Sequence, residues 1–244
     1  MNKPVVFVSG SGRGIGKAIA IEFAKNGHPV IINAVHDKES LEKTKQEILT
    51  YGVPCLSFLC DIKDYNNVKY IFEETKNKLG EIGILINNAG IAHIGLFQDM
   101  IPEEYNNILQ TNLVSALNCC HAAIPDMIKA HCGHIINISS VWGNVGASCE
   151  AVYSASKGGL NSFTKALAKE LAPSGIYVNA VSCGLIDTEM NHLLSDDDLS
   201  ALCEDIPVGR MGNPKEIARF IYELATGGHT YLTGQIITLD GGWI

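Results

Sequence analysis

Residues 4–20 read PVVFVSGSGRGIGKAIA. The first half is a short, β-branched apolar run, and the second places Gly10, Gly12, Gly14 and Gly16 at the mouth of a stretch with helical period. A buried strand that passes through glycines straight into a helix is the opening unit of a parallel sheet. Glycine lets backbone approach a phosphate closely, and the first helical turn offers free N–H groups and the positive end of its dipole. The stretch therefore predicts a phosphate-bearing cofactor. The P-loop pattern is excluded, because Ser11 stands in place of its first glycine and Ala18 in place of its final Ser or Thr. Strict G-x-G-x-x-G also fails, since Ile15 occupies its last position when counted from Gly10. What remains is G-x-x-x-G-x-G on Gly10, Gly14 and Gly16.

Outward from this loop the same alternation continues. Further β-branched runs lie near 29–33, 55–60, 84–87, 134–139, 177–182 and 235–240, and most are separated by helical stretches. KAIAIEFAKNG sets Ile19 and Phe23 beside Ala20 and Ala24 and closes on a glycine, while Ser40 is the expected N-cap of the next helix. Strands apolar on both faces and alternating with helices predict an α/β fold, a single-domain doubly wound parallel sheet of about seven strands with helices on both faces. No linker or repeat interrupts residues 1–244, so one domain is expected. Residues 185–213 are the exception, an acidic mixed segment placed where a substrate lid is usual.

The totals narrow the function. Twenty-six acidic against 18 basic residues give a net charge of −8 without a long basic run, which argues against nucleic acid and anionic membranes as partners. The longest apolar runs fall far short of the ~20 residues of a membrane span, and the first residues are too brief for a signal peptide. A cytoplasmic protein acting on a small molecule is expected. The eight cysteines then read as thiols, with Cys55, Cys119, Cys120 and Cys183 in apolar contexts. His131, Cys132 and His134, with Cys119, Cys120 and His121 upstream, form no CxxC pair, so no metal is expected.

The end of the second strand addresses the cofactor's adenosine ribose. Asn33, Ala34 and His36 stand there with no carboxylate before Asp37, and Arg13 in the glycine loop can reach the same place. A 2′-phosphate needs positive charge and a 2′-hydroxyl an acid, so NADP(H) is favoured over NAD(H), which stays possible.

Residues 153–157, YSASK, put a phenol and an ammonium on one helix face. A ketone accepting hydride becomes an alkoxide and needs a proton donor with a second hydrogen bond to the same oxygen. A nearby ammonium is expected to pull the phenol toward ionisation, and the small residues between are expected to leave room for cofactor and substrate.

The glycine spacing, NNAG at 87–90 and Tyr-x-x-x-Lys at 153–157, in this order over essentially the whole chain, resemble the short-chain dehydrogenase/reductase family. The likeness is greatest to its branch of 3-oxoacyl-acyl-carrier-protein reductases and hydroxysteroid or carbonyl dehydrogenases. It implies a Rossmann-type domain and a catalytic set of Asn112, Ser140, Tyr153 and Lys157. In that set Tyr153 is the acid/base, Ser140 steadies the carbonyl oxygen, and the Asn112 helix orders a water chain for protons. Lys157 also bonds the nicotinamide ribose. The resemblance further implies cofactor contacts from Ser11 and Ile15 in the loop, Asp61 and Ile62 at the adenine, and Asn88, Ala89 and Gly90 after the fourth strand. In CGLIDTEM, Gly184, Ile186 and Thr188 hold the carboxamide, with Cys183 where proline is usual.

For the substrate, Trp142, Val145, Leu185, Met190 and Leu193 are expected around an apolar pocket beside Ser140 and Tyr153. Carrier-protein reductases resembling this chain dock their acidic partner on basic residues flanking the entrance, where this chain has His131 and Ser174. With net charge −8 as well, a free ketone or secondary alcohol of hydroxysteroid type ranks first. Reduction of a carrier-bound 3-oxoacyl chain is the alternative, and a silent NADP(H) sensor the non-enzyme alternative. The family likeness also implies a homotetramer or dimer.

Overall fold

A computed structural model of the chain describes residues 3–193 and 196–244, with the side chains of 192, 193 and 196 outside that description. The Leu193 expectation therefore falls outside the described side chains. Seven strands form one sheet, β1 (Val5–Val8), β2 (Val30–Ala34), β3 (Cys55–Leu59), β4 (Ile82–Asn87), β5 (Gly133–Ser140), β6 (Ile176–Cys183) and β7 (Ile236–Leu239). Their order is β3-β2-β1-β4-β5-β6-β7, and every pairing is parallel. All seven expected runs are strands.

The helices are α1 (Gly14–Lys25), α2 (Lys38–Leu49), α3 (Tyr65–Leu79), α4 (Pro102–Leu109), α5 (Ser115–Ala130), α6 (Trp142–Val145), α7 (Ala151–Leu171), α8 (Asp196–Asp205) and α9 (Pro214–Thr226). Alternate strand residues feed two cores, which is why the strands are apolar throughout. Val6, Val8, Ile136 and Ile138 face one layer with Phe23 and Ile19 of α1 and Ile221 of α9. Val5, Phe7, Leu85 and Ile135 face the other with Ile71 of α3, Cys119 and Met127 of α5 and Leu167 of α7. Fully burying each such side chain stabilises the fold by about 1.5–3 kcal/mol, so both helix layers are fixed to the sheet.

One helix start differs from expectation. Asp37, three residues before Ser40, caps α2 by accepting the Ser40 N–H at 2.9 Å. Ser40 already lies inside the first turn.

The chain winds from β1 outward to β3, then restarts at β4 on the other side of β1. The carboxyl ends of β1 and β4 thus diverge at a topological switch point, the crevice where open parallel sheets bind ligands. The glycine loop follows β1, and Asn88–Gly90 follow β4. Residues 185–193 leave β6 at the same sheet edge, and a parallel bridge between Ile186 and Gly212 ties them to the stretch before α9.

Candidate active site

At the switch point, the glycine loop is shaped by close approach. Gly10 and Gly14 have φ of 61° and 55°, in the left-handed region. A Cβ on Gly10 would lie 2.8 Å from the Ala89 Cα, and one on Gly16 would overlap Asn88 Nδ2 and the Gly10 carbonyl. Ser9 accepts the N–H groups of Asn88 and Ala89, both at 3.0 Å, and Asn88 Nδ2 donates to the Ser9 and Gly10 carbonyls at 2.9 and 3.0 Å. β1 and β4 are thereby clamped across the crevice. Asn88 serves the clamp with its side chain rather than presenting it to a ligand.

The N-terminus of α1 is left open. Arg13 occupies the cap position in extended conformation without a side-chain hydrogen bond, and no acid stands in the first turn. By contrast α2, α3 and α9 are capped by Asp37, Asp64 and Asn213. The first N–H groups of α1 therefore point into the crevice with the dipole behind them, a fit for a dinucleotide's phosphates at Gly14, Ile15 and Gly16.

Two expected contacts turn inward. Ser11 donates its hydroxyl to the Val8 carbonyl at 2.7 Å and its N–H to the Asn33 carbonyl at 2.9 Å, so no donor remains for a ligand. Asn33 is fully buried, and its amide donates to the Phe58 and Cys60 carbonyls at 3.1 and 2.9 Å. Both residues brace the loop instead of reaching the ribose. The reachable groups there are Arg13 and His36, both exposed, and the Asp37 carboxylate that the Arg13 charge helps hold below its usual range, after the stronger effect of its Ser40 hydrogen bonds. Asp61 accepts the Lys63 N–H at 3.0 Å and is half-buried, while Ile62 is buried. Asp64, not Asp61, caps α3, and the second Asp61 oxygen pairs with Lys63 Nζ at 3.3 Å.

The four proposed catalytic residues converge from three elements. α4 runs into α5 through a π-helical turn at Gln110–Val114, and Asn112 sits in it, buried. A π turn is a frequent mark of a functional position, because it redirects one side chain from the helix register. Asn112 accepts the Ile91 N–H at 2.8 Å, donates to the Ile91 carbonyl at 2.9 Å, and donates to Ser156 Oγ at 3.0 Å. Ser156 in turn donates to the Tyr153 carbonyl at 2.6 Å. It was expected only to leave space, yet it couples Asn112 to the backbone that carries Tyr153. Ser140 ends β5, accepts the Trp142 N–H at 3.2 Å and lies close enough to the Tyr153 hydroxyl to favour its ionisation. Lys157 Nζ donates to the Ile138 carbonyl at 2.8 Å and lies 5.7 Å from the centre of the Tyr153 ring.

The electrostatics of this cluster invert one expectation. Burial pushes the Tyr153 phenol above its ordinary range, the Glu150 and Cys183 charges add to the rise, and the Ser140 hydrogen bond opposes it. Burial pushes Lys157 down to about 8. Desolvation of both groups outweighs their attraction, so the phenol stays protonated and the amine is the group near its titration point. That state suits a proton donor.

The remaining expected residues divide. Thr188 lies over the glycine loop, its Cγ2 3.5 Å from where a Gly14 Cβ would stand. Ile186 packs in the core, so only its backbone faces the crevice. Gly184 allows the Asp240 backbone to pass, since a Cβ there would lie 2.7 Å from the Asp240 Cα. Val145 and Met190 are exposed at 62% and 44%, an open apolar rim, but Leu185 is buried with its carbonyl bonded to Gly212 and lines no open surface. His131 and Ser174 do not flank the entrance of their own chain. They precede β5 and β6, at the amino edge of the sheet, whereas Ser140 and Cys183 end those 8-residue strands, roughly 23 Å from the strands' first residues at ~3.3 Å per residue.

Two residues escaped the sequence reading. Glu150, at the N-terminus of α7, lies beside the Trp142 side chain, which lowers its pKa against the rise from burial. Trp243, near the chain's end, packs against Trp142 in a tilted arrangement, ring centres 4.9 Å apart and planes inclined at 60°. Spacing to Tyr153 was the available signal for Glu150, and nothing local marked Trp243.

A family model described as short chain dehydrogenase matches residues 4–199. Among curated relatives, three named 3-oxoacyl-acyl-carrier-protein reductase are similar over nearly the whole chain. That of Staphylococcus aureus is 38% identical over 235 residues, covering 96% of each chain. That of Haemophilus influenzae is 38% identical over 243 residues, 99% of this chain and 98% of its own. That of Salmonella typhimurium is 37% identical over 238 residues, 98% and 96%.

The Lys157 shift has a measurable sign. Between about 8 and the ordinary 10.5, the unfolded chain keeps a proton that the folded chain has released, so this residue makes stability rise with pH across that window. Buried cysteines such as Cys120, held up to about 12, act in the opposite sense above pH ~9, so the comparison must be a difference. In urea unfolding, wild type should gain roughly 2 kcal/mol on Lys157→Met between pH ~7.5 and ~9.5.

Proposed function

The chain belongs to the short chain dehydrogenase family and is an NAD(P)-dependent oxidoreductase acting on a CH–OH group, and on that premise we propose that it reduces a 3-oxoacyl thioester to the 3-hydroxyacyl thioester with NADPH. The carrying observation is the convergence of Ser140 and Tyr153 beside buried Lys157, whose Nζ lies 5.7 Å from the centre of the Tyr153 ring. The relatives' names support the thioester over the hydroxysteroid-type ketone, which the sequence ranked first. The charge argument against a carrier protein weakens as well, because His131 and Ser174 lie at the far edge of the sheet. Net charge −8 and the open apolar rim at Val145 and Met190 still favour a second reading, a free apolar ketone.

The uncapped turn of α1 would hold the cofactor's phosphates, Arg13 and His36 would meet a 2′-phosphate, and Thr188 with the Ile186 backbone would hold the nicotinamide end. When bound, that ring supplies hydride to the carbonyl carbon. The chain's own residues do the rest. Ser140 donates a hydrogen bond to the carbonyl oxygen, and Tyr153 gives up its phenolic proton as the oxygen becomes an alkoxide. Lys157, still mostly ammonium at neutral pH with its pKa lowered to about 8, is positioned to stabilise the phenolate left behind, and the Asn112–Ser156 link holds the Tyr153 turn while it is reprotonated.

Tyr153→Phe should lower kcat by about 10²–10⁴-fold, the usual worth of a positioned acid, with NADPH affinity retained. Assays with a 3-oxoacyl thioester and with a 3-oxosteroid decide between the substrate readings, and a strong preference for the steroid would reverse the proposal. Arg13→Ala should weaken NADPH binding by about tenfold or more, as loss of a charge-assisted contact does, and leave NADH binding nearly unchanged. Equal losses for both cofactors would assign the phosphate elsewhere.

A further inference from the structure

The thioester reading leaves one carboxylate at the reaction centre without a task. Glu150 immediately precedes α7 and holds the N-cap position, yet its side chain makes no capping bond. It turns instead to the Trp142 side chain, two residues beyond Ser140, and stays half-buried three residues before Tyr153. Trp142 is itself fixed from outside. Trp243 packs against it at a tilt, ring centres 4.9 Å apart, and the tail carrying Trp243 is pinned where Asp240 accepts the N–H groups of Gly242 and Ile244 at 2.9 and 3.0 Å. The Val208 N–H donates to the Gly241 carbonyl at 3.2 Å, so the tail also holds the end of the segment over the crevice.

We propose that Glu150, held beside Tyr153 by the Trp142 indole, is a specificity-determining residue that admits neutral 3-oxo esters and thioesters and excludes anionic free 3-oxo acids. The physical reason is like-charge repulsion in a half-buried place. A 3-oxo acid that puts its ketone at Ser140 and Tyr153 carries its carboxylate two carbons away, within a few ångströms of the same corner. An ester or thioester carries no charge there, and the amide N–H groups of a thioester's arm can donate to Glu150. At an effective dielectric near 20, two such charges several ångströms apart cost enough to discriminate by about tenfold or more. The inference rests on the ketoreductase reading but not on the identity of the carrier.

Ionisation of Glu150 is therefore part of the device. Burial raises its carboxyl above the ordinary range against the Trp142 hydrogen bond, so the charge is lost on mild acidification. Other ionisable groups approach the corner. Tyr153 faces it from α7, with Lys157 and Cys183 of β6 behind it. His93 approaches from the loop after β4, its ring 3.0 Å from where a Gly95 Cβ would stand, and the Gly95 N–H donates to the Cys149 carbonyl at 2.8 Å.

The test compares kcat/KM for ethyl 3-oxobutanoate and 3-oxobutanoate with NADPH, substrates that share the ketone and differ in charge. Wild type should prefer the ester, Glu150→Gln should shrink that preference by about tenfold, and Glu150→Asp should restore most of it. A preference unchanged in Glu150→Gln would overturn the proposal. A second readout needs no turnover, because Trp142 and Trp243 are the only tryptophans of the chain. Their emission should titrate with a midpoint above the usual carboxylate range in wild type and lose that transition in Glu150→Gln. A transition that persists in the variant would overturn the placement of Glu150. Failure of the thioester reading looks different, namely no turnover of 3-oxoacyl thioesters while ester discrimination still answers to Glu150.

Discussion

An uncapped helix N-terminus governs this structure. α1 opens on Arg13 with no side chain satisfying its first N–H groups, at the point where the sheet order reverses. Leaving such donors free is costly unless something else binds them, and the protein caps α2, α3 and α9 in the usual way. Much of the local architecture keeps that turn open. Ser9 and Asn88 clamp β1 to β4, Ser11 and Asn33 brace the loop from below, and Thr44 donates to the Gly12 carbonyl at 3.0 Å. Glycine at 10 and 16 is required because neighbouring backbone and the Asn88 side chain occupy the space a Cβ needs.

The same economy of space explains the reaction centre. Lys157 is buried and Tyr153 half-buried, so desolvation lowers the one and raises the other until a protonated phenol lies beside an ammonium that has become easier to deprotonate. Their geometry depends on remote elements. The π turn at Asn112, Ser156 inside α7, the Ile138 carbonyl and the end of β5 each fix one direction of the cluster. Both tryptophans and the chain's tail add a wall on the Glu150 side.

Seven strands were legible because parallel strands bury both faces and so read as unbroken apolar runs, as β1 and β4 show with nearly every residue buried. The catalytic spacing was legible because a helix puts residues four apart on one face. What escaped depends on packing between distant segments. The Asn33 amide turns to β3, Leu185 turns into the core, and Trp243 meets Trp142 about a hundred positions away in sequence. His131 and Ser174 were misplaced because chain order does not say which edge of a sheet a loop occupies, whereas strand direction does. The phenol's shift was misjudged since the sequence shows charges but not their burial.

The most direct test of the open helix end is an equilibrium titration of NADPH against wild type and Gly16→Ala, with folding checked by circular dichroism. A methyl at that position must displace Asn88 or the Gly10 carbonyl and so deform the phosphate cradle. The account predicts a folded variant whose affinity falls by about tenfold or more, corresponding to at least ~1.4 kcal/mol. A folded variant that binds NADPH as tightly as wild type would contradict it.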